Sequence, residues 1–132
     1  MIEEIGIGDE GSFKEPLFER GEVAWVDFRN MPIIEHELGK FRPSVNVQWD
    51  VANEKDNPHV TLVPFTTSGR ITGSDMHIEI GKGEGGITKK SYALCDMITT
   101  VSKTRVKHRV GNLSTDKMNM LYRAISNHLD IL

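Results

Sequence analysis

Residues 21–28 read Gly21-Glu22-Val23-Ala24-Trp25-Val26-Asp27-Phe28. β-branched and aromatic side chains dominate them, which suits a pleated, half-buried strand. Successive strand side chains alternate between faces. Val23, Trp25 and Asp27 therefore share one face, and Ala24, Val26 and Phe28 share the other. Gly21, a turn-favouring residue, opens the strand.

The same short, apolar pattern recurs downstream. Residues 29–41 form a connection holding Pro32 and Gly39. Pro43 then starts a second strand over 44–49, with Val45 and Val47 on one face. Proline suits the first residue of a strand because it has no N–H for the ladder. Residues 50–57 are polar and predict a loop. Residues 59–66 predict a third strand, interrupted at Pro64, and 67–69 a turn. Residues 77–80 alternate as a strand, 81–86 are a glycine-rich turn, and 91–101 read as one further strand. Residues 107–110 are short and β-like.

The period changes at Ser114. Its hydroxyl fits an N-cap, and Asp116 places negative charge in the first turn, where a helix favours it. Met118, Leu121, Tyr122, Ile125, Leu129 and Leu132 follow helical spacing, so one stripe packs on the sheet. Short strands followed by one terminal helix predict a mainly β (α+β) fold whose strands close into a small barrel or curled sheet. Residues 1–20 read as an acidic arm and 21–132 as the domain proper.

A chain of 132 residues is one domain's worth and buries a core without staples. The single cysteine, Cys95, predicts no internal disulfide and a reducing cytoplasm. The opening residues are acidic and lack an apolar core, so no signal peptide is expected. No apolar run reaches the length of a membrane span. The five histidines (36, 59, 77, 108, 128) lack the paired spacing of metal ligands, so neither metal nor cofactor is expected.

The net charge of −3 argues mildly against a general nucleic-acid binder. Its distribution softens that objection. Residues 1–20 carry −4 of it, leaving the rest at +1, and residues 82–109 alone carry +5. Such a local basic surface attracts phosphates, although a charge run is more often a solvated face.

Phosphate-loop, zinc-protease and nucleophile-elbow motifs are absent. Chemistry concentrates in His36-Glu37-Leu38-Gly39-Lys40-Phe41-Arg42-Pro43. An arginine at a strand start is a good phosphate clamp, because its planar fork stays charged and donates in parallel. A nearby histidine or carboxylate can carry a proton. On spacing alone, the plainer reading is an Arg42–Glu37 surface ion pair beside an exposed His36. Thr66, in Val63-Pro64-Phe65-Thr66-Thr67, reads unaided as a strand residue beside a turn, although a hydroxyl there can bond a phosphate oxygen. Asp96 lies in an apolar run, where an acid either meets a cation or lines a site. Cys95 beside it reads as a small core residue.

These pieces occur in a recognisable order. Gly21-Glu22-Val23 leads into Trp25-Val26-Asp27-Phe28, then come Gly39-Lys40-Phe41-Arg42-Pro43-Ser44-Val45 and Val63-Pro64-Phe65-Thr66-Thr67-Ser68. Cys95-Asp96-Met97-Ile98-Thr99-Thr100-Val101, Arg109-Val110-Gly111-Asn112-Leu113-Ser114 and the terminal helix follow. In this order the chain resembles the MazF/PemK toxin family from Gly21 onward. The resemblance implies an SH3-like antiparallel barrel with a C-terminal helix. It implies a homodimer whose interface builds an RNA groove, and a neutralising antitoxin partner. The implied activity is metal-independent, sequence-selective endoribonuclease cleavage of single-stranded RNA. The family's arginine before proline falls on Arg42 and its strand-end threonine on Thr66. The His-Glu pair of some members falls on His36 and Glu37, and the late-strand acid of others on Asp96. Where those others carry an arginine two residues before the acid, this chain has Leu94. RNA contacts are expected at Lys40, Phe41, Phe65 and Thr67, with Phe28 and Trp49 as further stacking candidates.

Two rivals share the resemblance. A gyrase poison on the same fold is expected to end in Trp-Gly-Ile, whereas this chain reads Leu129-Asp130-Ile131-Leu132. A barrel that binds RNA without cutting it is expected to lack Arg42 or Thr66, and both are present.

Overall fold

A computed structural model describes residues 17–31, 40–68 and 75–131. The strands are β1 (Glu22–Asp27), β2 (Phe41–Asn46), β3 (His59–Thr66), β4 (His77–Ile80), β5 (Ser91–Leu94), β6 (Thr99–Ser102) and β7 (Val106–Asn112), followed by helix α1 (Thr115–His128). All pairings are antiparallel, in the order β4-β5-β3-β2-β1-β7, with β6 also on β3. The turn after β4 packs on β7, the opposite edge of that order. The result is the expected small curled antiparallel barrel with a helix at its C-terminal end. Among the described residues no helix is long and apolar enough to cross a membrane.

The close approach that joins the two edges explains the glycines of the turn. A Cβ on Gly86 would stand 2.1 Å from the Val110 carbonyl oxygen, and its φ is +82°. Gly111 meets the Gly85 backbone from the other side. Glycine alone permits backbones to pass this closely in a left-handed conformation.

β1 and β3 carry apolar side chains on both faces. Val23, Val63 and Phe65 join the core under α1, with Met118, Leu121 and Ala124 of the helix. Val26, Phe28, Val60 and Leu62 join a second core, with Leu94 and Val101. Burying Phe28 and Phe65 contributes roughly 1.5–3 kcal/mol each. Phe18 packs on the second core, and its carbonyl accepts from Asn46 Nδ2 at 3.0 Å. Residues 17–20, within the expected arm, are thus tied to the barrel; residues 1–16 lie outside the described residues.

The helix starts where its chemistry predicts. Ser114 Oγ accepts the Lys117 N–H at 3.1 Å. Leu129, placed on the buried stripe by its spacing, is instead 50% exposed, because α1 ends at His128. Leu132 lies outside the described residues.

Two strand expectations need correction. The second strand runs over Phe41–Asn46 rather than 44–49. Asn46 stops it: its Oδ1 accepts the Gln48 N–H, and its Nδ2 donates to Asn53 in a buried amide network. Arg42 and Pro43 therefore lie inside the strand, and the ladder to β3 begins only at Ser44, after the proline. The strand expected over 91–101 is broken by a 3-10 turn at Cys95–Met97. β5 pairs with Phe65 and Thr66, and β6 with His59–Leu62. Pro64, which has no N–H to offer, lies in the stretch of β3 between the two pairings.

Candidate active-site cleft

Arg42 and Thr66 come together through register. Ser44 pairs with Pro64 and Val45 with Val63. Counted along that register, Arg42 and Thr66 stand two residues past the last pair, Ser44 and Pro64, and alternation puts them on the same face as that pair. Both are buried. The Arg42 guanidinium donates from Nη1 to the Phe65 carbonyl at 3.4 Å. Thr66 Oγ1 accepts the Ser68 N–H at 3.2 Å, which uses one lone pair and leaves its proton to donate elsewhere.

The two residues open into a cleft of about 230 Å³. Lys40, Phe41, Phe65 and Thr67, the residues expected to contact RNA, line it, and so do Trp25, Thr88, Lys89 and Ser91. Its described lining carries three cations, Lys40, Arg42 and Lys89, and no carboxylate. Such a wall favours an anion, and the low-dielectric surroundings of a buried guanidinium strengthen the attraction.

The four aromatic candidates separate. Phe28 and Phe65 are core residues at 0% and 1% exposure, so neither ring offers a stacking face. Phe41 is exposed at the rim. Trp49 is exposed but is not part of the cleft lining. His36 and Glu37 lie outside the described residues. Asp96 does not line the cleft. It sits exposed on the 3-10 turn beyond β5, and its Oδ1 meets His77 Nε2 at 3.1 Å. Leu94, two residues earlier, is buried in the second core.

Trp25, Thr88 and Lys89 escaped the sequence reading. Alternation put Trp25 on one face with Val23, yet Val23 is fully buried and Trp25 is 38% exposed. Irregularities in the β1–β7 register on either side of Ala24–Trp25 accompany the change. Lys89 belonged to the basic run over 82–109, which the fold divides. Arg109 pairs with Glu22 at 2.7 Å, Lys90 faces Glu79, and Lys103 donates to the Glu54 carbonyl. Arg105 donates to the carbonyls of Asp27 and Arg29. Lys89 alone of the run lines the cleft.

The sequence and the fold have counterparts. Residues 19–129 match the PemK-like, MazF-like toxins of type II toxin–antitoxin systems. The endoribonuclease MazF of Staphylococcus saprophyticus is 33% identical over 117 residues, covering 87% of this chain and 90% of that protein. A crystal structure of MazF from Deinococcus radiodurans superposes with a TM-score of 0.73 at 16% identity, covering 89% of this chain and 100% of the other. A mycobacterial endoribonuclease in complex with its cognate antitoxin gives a TM-score of 0.65 at 21% identity, covering 89% and 95%.

Proposed function

The chain belongs to the PemK-like, MazF-like toxins of type II toxin–antitoxin systems, and from that premise we propose that it is an endoribonuclease cutting single-stranded RNA at the Arg42–Thr66 cleft. The observation that carries the site is that a buried arginine and a buried threonine line one cleft with three lining cations and no described carboxylate.

The chemistry needs no external nucleophile. The RNA 2′-hydroxyl attacks the adjacent phosphorus as its proton leaves to a base. The bond from phosphorus to the 5′-oxygen breaks, and that oxygen takes a proton. The products are a 2′,3′-cyclic phosphate and a 5′-hydroxyl. Arg42 offsets the charge that builds on the non-bridging oxygens, and Thr66 donates to one of them. Lys40, Lys89 and Thr67 hold the flanking strand. We assign the proton transfers to His36 and Glu37, a few residues before Lys40 at the cleft. Asp96, paired with His77, is the less suited of the three candidates.

The same reading extends to the assembly. A homodimer would extend the cleft into a groove. A cognate antitoxin with an acidic segment would cover the cationic lining by folding on binding. Residues 1–20 would serve as an arm to the 21–132 toxin domain, working in the cytoplasm.

The test is direct. The purified chain is incubated with a single-stranded RNA in EDTA, and the ends of the products are identified. A 5′-hydroxyl and a cyclic phosphate are expected. Products bearing a 5′-phosphate, or cleavage that EDTA abolishes and a divalent metal restores, would overturn the chemistry. Sequencing the 5′ ends then gives the recognition motif.

A further inference from the structure

Next to the cleft lies a second, more apolar hollow of about 450 Å³, lined by Trp25, Phe41, Lys107 and His108. The two share Trp25 and Phe41, so they form one continuous surface. Trp25 and Phe41 are 38% and 40% exposed, unusual for aromatic side chains of this size. They are also neighbours by register. Trp25 lies opposite Pro43, so Phe41, two residues back on β2, is its diagonal partner on the same face. Phe41 is braced from another side: the Arg29 guanidinium lies 4.7 Å from its ring centre. Arg29 is itself fixed by two 3.0 Å bonds to the Asp27 carboxylate.

We propose that Trp25 and Phe41 form a stacking platform for an unpaired nucleobase beside the cut, with Lys107 meeting the phosphate that follows. The proposal rests on the cleft being an RNA-cleaving site. Three features select a base as the occupant. The hollow continues from a cleft built for phosphate. Lys107 stands at its rim and makes no ion pair among the described residues. The described lining holds no carboxylate to repel a polyanion. A base offers a flat π face to the platform while its phosphate stays with the cation, the arrangement by which proteins hold single strands.

Two measurements separate this subsite from the reaction itself. The chain contains only Trp25 and Trp49, so W49F, a change at an exposed position, leaves Trp25 as the sole tryptophan. An oligonucleotide with a 2′-deoxy nucleotide at the cut cannot be cleaved, and its binding should quench Trp25 emission. Steady-state cleavage is then followed on RNAs carrying one abasic nucleotide at successive positions around the cut. Wild-type protein should show a KM raised roughly tenfold or more at one flanking position, with kcat nearly unchanged. W25A should show the same rise on intact RNA and no further rise on that abasic substrate, while W25F should recover most of the affinity. If wild-type protein cleaves RNA but the quench is absent and every abasic substrate behaves alike, the platform is wrong and the active site stands. If wild-type protein cleaves no RNA, both fall.

Discussion

Arg42 donates to the Phe65 carbonyl across the β2–β3 seam, at 3.4 Å from a residue 23 positions away in sequence. The contact anchors a charged fork in a buried wall, one strand from the Thr66 hydroxyl. Arg42→Ala should lower the cleavage rate by roughly 10²–10³ while the fold survives. Arg42→Lys should not restore it, because a point ammonium cannot hold the carbonyl and a phosphate in the same plane. Thr66→Val removes one hydrogen bond to a charged oxygen and should cost on the order of ten- to a hundredfold. Initial rates on a fluorogenic RNA, with circular dichroism to verify folding, measure all three.

The joint between the barrel edges should be sensitive to a single methyl group. Gly86→Ala places a carbon 2.1 Å from the Val110 carbonyl at a φ of +82°, so backbone must shift. A loss above about 3 kcal/mol, or no soluble folded protein, is expected. Gly83 has φ +94° and nothing within 4 Å of its added Cβ. Gly83→Ala should therefore cost only the left-handed strain, about 1–2 kcal/mol. Urea unfolding of the pair separates packing from strain; equal losses would contradict this account.

Asp27 makes the stability depend on acid. The side-chain hydrogen bonds from Arg29, and then the Arg29 backbone N–H, hold its carboxyl at about 2 rather than 3.8. A carboxyl depressed in the folded state contributes stability that is present above its unfolded value and lost as pH falls through its folded value. The contribution should thus be full near neutral pH and should disappear between about pH 4 and pH 2. Asp27→Asn should be less stable than wild type at pH 6, with the two curves converging towards pH 2. Thermal melts across that range provide the check.

Cys95 should be chemically silent in the native protein. It is fully buried, and desolvation, assisted by the adjacent Asp96, pushes its thiol up to about 12. Since the thiolate is the reactive form, an aromatic disulfide reagent at pH 8 should label it only after denaturant is added. Rapid labelling of the folded chain would show that the Cys95–Met97 turn opens.

The sequence by itself determined the elements whose causes are local. The helix start follows from one hydroxyl and an N–H three residues later, and β3 follows from a run of apolar and β-branched residues that its one proline does not end. The ordered motifs likewise carried the family. Tertiary structure alone decided which side chains reach the cleft. Arg42 and Thr66 reach one cleft because β2 and β3 align in one register, and a slip of a single residue would turn one of them away. Phe41 and Phe65 look alike in sequence, yet a curled sheet buries one and exposes the other. The break at Cys95–Met97 sets Asp96 on an exposed turn rather than in an apolar strand. Lys89 joins the cleft while Arg109, Lys90, Lys103 and Arg105 of the same run are claimed by Glu22, Glu79 and the carbonyls of Glu54 and Asp27. Local chemistry acts over a turn or a strand; the site is assembled by pairings between segments tens of residues apart, and those depend on the closed sheet.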